Sequence, residues 1–248
     1  MLWILDPANP GFQGVVPGGP KLLQVNPDTG KVVKVYRFDE SVAPPNSYLN
    51  DVRIQPTSHK AYITDSGAGA VVVLDLETGE SRRLLADHTS TKAEPIDIVI
   101  EGEAWKRDGK TPQVHADGIA LSPDWNWVYY QALTGRTMYR VPTAVLDDAA
   151  LSDADVAAAV ELVAMSGVAD GLIFGQDGHL YISSLEQDAV TRLRMPDGTP
   201  QEVVVGSPQI AWPDSFAVAR AGTIYFTTAQ IHSGPNPPEP YRLWRIKF

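Results

Sequence analysis

The sequence predicts an all-β fold: a β-propeller of five to six four-stranded blades, a single domain over residues 1–248, with one short helix around residues 143–160. Three observations predict it. First, a phrase headed by a side-chain oxygen recurs four times, as Asn50-Asp51-Val52-Arg53-Ile54, Asp117-Gly118-Ile119-Ala120-Leu121, Asp170-Gly171-Leu172-Ile173-Phe174 and Asp214-Ser215-Phe216-Ala217-Val218. Second, the heads lie 67, 53 and 44 residues apart, and repeats of about 40–50 residues built from short strands are the signature of propeller blades. Third, each phrase runs into another strand signal, Ala61-Tyr62-Ile63, Trp127-Val128-Tyr129-Tyr130, Leu180-Tyr181-Ile182 and Thr223-Ile224-Tyr225-Phe226. Four equivalent strands that each begin with Asn or Asp place those oxygens in a ring about one axis.

The elements follow in order. Before Asn50 there are three strand signals, Leu2–Leu5, Lys21–Val25 and Lys31–Phe38, with Pro27-Asp28-Thr29-Gly30 as the turn between the last two. They read as a blade without its innermost strand. The second blade holds Val52–Gln55, Ala61–Thr64, Val71–Leu76 and Ser81–Leu85. The stretch from Asp87 to Val114 has little periodicity beyond an extra strand at Ile96–Ile100 and a charged run from Trp105 to Lys110; loops this long are usually functional or disordered. The third blade holds Gly118–Ser122, Trp127–Gln131, Thr137–Val141 and Val160–Ala164, with the helix inserted at Thr143–Val160. Ser152 followed by Asp155 resembles a capping box there. The fourth holds Gly171–Gly175, His179–Ser183, Ala189–Arg194 and Gln201–Val205, and the fifth Ser215–Ala219, Thr223–Thr228 and Arg242–Phe248. Propellers avoid unpaired edges by closing, so either the two ends pair with each other or residues precede Met1. Asp124, Asp177 and Asp197 sit in hairpin turns.

Composition removes several classes. A formal net charge of −10 argues against nucleic acid, which needs a basic surface. The absence of cysteine excludes disulfides, thiolate metal sites and a cysteine nucleophile. No apolar run is long enough to span a membrane, and Met1 leads directly into a strand with no signal-peptide pattern. Phosphate-binding loops, dinucleotide fingerprints and the Gly-Xaa-Ser-Xaa-Gly elbow are missing. The expected state is a monomer that binds a small molecule.

Several phrases together resemble the major royal jelly protein/yellow family: Leu2-Trp3-Ile4-Leu5-Asp6, Tyr48-Leu49-Asn50-Asp51-Val52, Ala61-Tyr62-Ile63-Thr64-Asp65-Ser66, His115-Ala116-Asp117-Gly118-Ile119-Ala120-Leu121-Ser122-Pro123-Asp124, Trp212-Pro213-Asp214-Ser215-Phe216 and Tyr225-Phe226-Thr227-Thr228-Ala229-Gln230-Ile231-His232. The resemblance implies a six-bladed propeller, usually in a longer chain, and a secreted or periplasmic setting. The sequence departs from it by about one N-terminal blade. The wider superfamily includes gluconolactonase-like lactonases, whose axial divalent metal takes a Glu, two Asn and an Asp. Asn50 matches one Asn, Asp117 stands for the other and Asp170 matches the Asp. The Glu has no counterpart, so the implied set is incomplete.

Connectivity gives the site independently. Residues before first strands and after second strands share one rim of the propeller. That rim gathers Tyr48, Asn50, His115, Asp117, Asp170, Trp212 and Asp214 with Asp65, Ser66, Thr134, Glu186, Gln230 and His232. Asn50, Asp117, Asp170 and Asp214 offer the oxygen donors that Ca2+ or Mg2+ takes. Asp170, Glu186, His115 and His232 are candidates for moving protons, and Tyr48, Asp65, Ser66, Trp212 and Gln230 for holding the substrate. Each Asp has an alternative use as a strand-starting turn residue bonded to its own backbone. Three functions remain open: a metal-assisted hydrolase of lactones or esters, a metal-free binder or isomerase of aromatic amines or quinones, and a non-enzymatic scaffold, which predicts no deep pocket at the rim.

Overall fold

The computed structural model describes residues 1–195 and 201–247; Asp197 lies outside them. Five antiparallel sheets follow one another along the chain. The first contains β1 (Leu2–Asp6), β2 (Lys21–Val25) and β3 (Val32–Arg37). The second contains β4 (Leu49–Gln55), β5 (Lys60–Asp65), β6 (Ala70–Asp75) and β7 (Ser81–Leu84). A small hairpin, β8 (Val99–Ile100) and β9 (Glu103–Ala104), precedes the third sheet of β10 (Ala116–Leu121), β11 (Trp127–Ala132), β12 (Thr137–Pro142) and β13 (Glu161–Met165). The fourth holds β14 (Ala169–Phe174), β15 (Leu180–Ser184), β16 (Ala189–Leu193) and β17 (Gln201–Gly206), and the fifth β18 (Pro213–Val218), β19 (Ile224–Thr228) and β20 (Arg242–Ile246). Every sheet is a meander in sequence order, and β4, β10, β14 and β18 lie side by side at the centre. This is a five-bladed propeller with three four-stranded and two three-stranded blades.

Two sequence expectations are refined. The single helix over 143–160 is two short ones, α1 (Thr143–Asp147) and α2 (Asp153–Ala158), separated where Asp148 takes an extended conformation. The capping box forms: Ser152 accepts from the Asp155 N–H, and Asp155 accepts from the Ser152 N–H. The two ends of the chain do not pair, since β1 is bonded only to β2 and β20 only to β19 among the described residues.

One apolar core fills each space between successive blades. Trp3, Leu5, Leu22 and Tyr36 meet Ile63, Val72 and Leu74; Tyr62 and Val73 meet Val128 and Tyr130, with Leu146 and Val156 from the helices; Tyr129 and Met138 meet Leu180 and Ile182; Tyr181 and Val190 meet Ile224 and Phe226. Blades covered on both faces need apolar residues at consecutive positions, which is why β5 and β15 lack the period-two alternation of a half-exposed strand. The outermost faces have no neighbour among the described residues. Ile4 and Val35 are exposed on the first sheet and Leu243 on the last, and Tyr225 is half-buried on that same outer face.

The central strands explain the repeated phrase. Each shifts register across it, between Leu49 and Val52, Ala116 and Ile119, Ala169 and Leu172, and Pro213 and Phe216. The phrase is a β-bulge, a device that re-aims side chains at a strand end. Hydroxyls of the neighbouring strand take up the freed N–H groups: Ser183 Oγ accepts from the N–H of Asp170 at 3.0 Å and of Gly171 at 2.7 Å, and Thr64 Oγ1 accepts from Asp51 N–H at 3.3 Å. The glycines set the blade spacing. A Cβ on Gly118 would stand 2.3 Å from the Asp170 carbonyl oxygen, and one on Gly171 would stand 2.1 Å from that of Asp214. Asp-Gly here is a close approach of blade to blade, and it brings successive Asp residues towards one axis.

Candidate functional site

The bulges deliver Asn50, Asp117, Asp170 and Asp214 to one pocket of about 830 Å3 at the axial end of the propeller. Asp117 and Asp170 are buried, and Asp214 is half-buried. Asn50 Nδ2 donates to Asp117 Oδ1, Trp212 Nε1 donates to Asp170 Oδ2 at 2.7 Å, and Ser215 Oγ donates to Asp214 Oδ1 at 2.8 Å. Burial first, and then the neighbouring carboxylates Asp170, Asp51 and Asp214, push Asp117 well above the usual carboxylate range. Asp170 is raised the same way, by burial and by Asp214, against the Trp212 hydrogen bond. Burial also raises Asp214.

A fourth carboxylate joins the ring. Asp51 lines the same pocket and is raised by burial, with Arg53 partly offsetting this from 3.5 Å. It occupies the second position of the phrase, where the other copies have Gly, Gly and Ser. That departure is the signal by which the sequence could have shown it.

The walls are aromatic. Tyr48 stacks on Phe12 at 4.4 Å, and burial followed by the Asp117 charge raises its hydroxyl. Trp212 is fully buried in a left-handed conformation, φ 51°, strained for so large a residue. Trp105 meets it edge-on at 4.9 Å. Trp105 comes from the long segment before the third blade, which forms its own apolar cover with Ile98, Ile100, Leu133 and Leu185. Nothing in its periodicity announced this, because the cover packs on the propeller end. Ser66 also lines the pocket, its Oγ 3.4 Å from the Tyr48 carbonyl oxygen.

Five expected site residues stand outside this pocket. Asp65 is fully buried as a structural anion, accepting from Arg83 Nη1 at 2.6 Å, Tyr48 N–H at 2.8 Å, and the N–H groups of Gly67 and Ala68 at 3.0 Å. Burial opposes its charge, yet Arg83 and these donors hold it below the usual range. His115 accepts from Ala93 N–H at 2.9 Å, and burial followed by Lys92 depresses its basicity. Glu186 is clamped by Arg136 at 2.7 and 2.9 Å and accepts from Val99 N–H at 3.1 Å, so it anchors the cover. His232 stacks on the outer face of Trp212 at 5.8 Å and pairs with Glu101 at 3.2 Å. Gln230 donates to the Glu239 carbonyl at 2.8 Å and ties down the proline-rich connector. His232 and Gln230 face a separate cleft of about 310 Å3. Rim connectivity places a residue near the axis but not its direction, and these side chains turn into the structure around it.

The ring's donors are the hard oxygens that suit a divalent cation. Asn50 turns its nitrogen towards Asp117, Trp212 occupies one oxygen of Asp170, and no group of three or more acidic or imidazole side chains among the described residues is arranged to hold a metal ion.

A family model described as "Major royal jelly protein" matches residues 1–229. The chain belongs to the major royal jelly protein family. No curated protein matches it. Among solved structures, this family member is similar to a gluconolactonase from Xanthomonas campestris, at 16% identity and TM-score 0.53, covering 83% of this chain and 61% of that one. A putative 6-phosphogluconolactonase from Bacteroides uniformis is similar at 12% identity and TM-score 0.54, covering 91% and 60%. A nidogen/laminin complex is similar at 12% and 0.55, covering 86% and 68%. At these identities the likeness shows the propeller fold, shared by enzymes and binding proteins alike. Among the described residues, no helix is long and apolar enough to cross a membrane.

Proposed function

We propose that this family member binds a small molecule in its axial pocket and hydrolyses it as a lactonase-like enzyme. The carrying observation is the ring of Asp51, Asp117, Asp170 and Asp214 beneath aromatic walls, with Arg53 paired to Asp51 at its edge. Acids pressed together and away from water hold their protons to higher pH than free carboxyls do, and paired groups of this kind do acid–base work. Asp170, oriented by Trp212, is the base that takes a proton from the attacking water. Water oxygen bonds to the carbonyl carbon, the ring C–O bond breaks, and protonated Asp117 gives its proton to the departing alkoxide. The product is the open hydroxy acid. The gluconolactonase likeness supports this reading by analogy alone.

The same unbalanced negative charge favours a second reading, in which the ring holds a cation: Ca2+ or Mg2+, or the ammonium of an aromatic amine lying against Tyr48 and Trp105. A scaffold would have no such pocket. Hydrolysis of a lactone series, measured with and without chelator, tests the first reading, and thermal shifts with catecholamines test the second. Turnover abolished in Asp170→Asn and in Asp117→Asn supports the hydrolase; no turnover of any lactone by wild type removes it.

A further inference from the structure

Arg107 is the only cationic side chain among the described residues that line the acidic pocket. Its backbone is fixed, since its N–H and carbonyl both bond to Lys110 across a tight turn. Its guanidinium lies over the Trp105 ring, 5.6 Å from the centroid. Trp105 is itself immobilised, buried against Trp212 and bonded through its N–H to the Ile98 carbonyl at 2.8 Å. The charge is left unused: Arg107 makes no side-chain hydrogen bond or ion pair with any described residue, whereas Arg83 and Arg136 are committed to Asp65 and Glu186.

A guanidinium mounted on an indole, free of partners and facing a cavity, is suited to bidentate capture of a carboxylate or phosphate. Asp51, Asp117, Asp170 and Asp214, which line the same pocket, repel anions. An entering anion is therefore oriented, with its charge at Arg107 and its neutral end at the ring. We infer that Arg107 is an anion subsite, and that the molecules this pocket prefers carry one carboxylate or phosphate away from the group presented to the acid ring. This rests on the hydrolase reading only for the identity of that reacting group.

Two measurements separate the inference from that reading. The first is binding by tryptophan fluorescence, Trp105 and Trp212 being the reporters, with sorbitol, gluconate and sorbitol 6-phosphate as neutral, carboxylate and phosphate probes. Wild type is expected to prefer at least one anionic probe over sorbitol, and Arg107→Ala to lose about 10- to 100-fold of that affinity while leaving sorbitol unchanged, the size of one charge-assisted contact. Arg107→Lys should fall between, keeping charge without the fork. The second is hydrolysis of glucono-δ-lactone against its 6-phosphate and against glucaro-1,4-lactone, where Arg107→Ala should raise KM for the charged lactones alone. No anion preference in wild type, or equal loss for neutral and anionic probes, overturns the proposal. Anion-selective binding that depends on Arg107, without turnover of any lactone, leaves the subsite standing and removes the hydrolase.

Discussion

Asp170→Asn should make the protein more stable at neutral pH, and more stable only there. Asp170 is buried among acids and has one side-chain donor among the described residues, the Trp212 indole at 2.7 Å. A buried charge without its counter-charge costs about 3–5 kcal/mol, and a hydrogen bond to a charged group returns about 1.5–3 kcal/mol. The net cost of the ionised form is then about 1–3 kcal/mol. Asparagine keeps an oxygen to accept from Trp212 and carries no charge. For a chain of this size each kcal/mol moves Tm by about 2–4 °C, so the expected gain at pH 7 is about 2–12 °C. The sign with pH is fixed by direction: the folded carboxyl is raised above its unfolded value. Its favourable contribution is complete below the unfolded pKa, about 3.9, and is lost as pH rises through the folded one. Wild type and variant should therefore converge in scans at pH 4 and separate towards pH 7, in chelator. A variant less stable at pH 7, or equally stabilised at both pH values, refutes an ionisable, under-compensated ring.

Other outcomes follow from the same structure. Arg83→Met leaves buried Asp65 without its cation, and should lower stability at pH 7 by about 3–5 kcal/mol in denaturant titration. Because Asp65 is held low, its contribution is present above about pH 4 and fades below, so the deficit should shrink in acid. Gly171→Ala drives a methyl into the Asp214 carbonyl, so a loss of about 1–3 kcal/mol is expected, together with weakened ligand binding as the bulge shifts. If the ring accepts a cation, Ca2+ or Mg2+ should raise Tm in chelator-treated protein at pH 7 and not at pH 4; no shift and no calorimetric heat remove the cation reading. Trp105→Ala should open the pocket and weaken small-molecule binding about tenfold or more by fluorescence, with little change in the far-UV spectrum.

The recurrence of one short phrase was sufficient for the propeller, because blade spacing and strand period are local properties written residue by residue. It also brought Asn50, Asp117, Asp170 and Asp214 to one axis, since equivalent positions in equivalent blades converge by symmetry. The physical form of the phrase was not local. Whether Asp-Gly is a turn or a bulge depends on the carbonyl of the next blade 2.1–2.3 Å from where a Cβ would be. Direction was equally a matter of packing. Asp65 turned to Arg83, Glu186 to Arg136 and His115 to the Ala93 amide, each because a buried charge or ring nitrogen took the partner at hand. The aperiodic segment carrying Trp105 and Arg107 acquired its shape only from the apolar surface it covers. Sequence alone thus determined the blades and the ring of oxygens; tertiary structure decided which side chains face the pocket, because burial and charge pairing are settled between segments far apart in the chain.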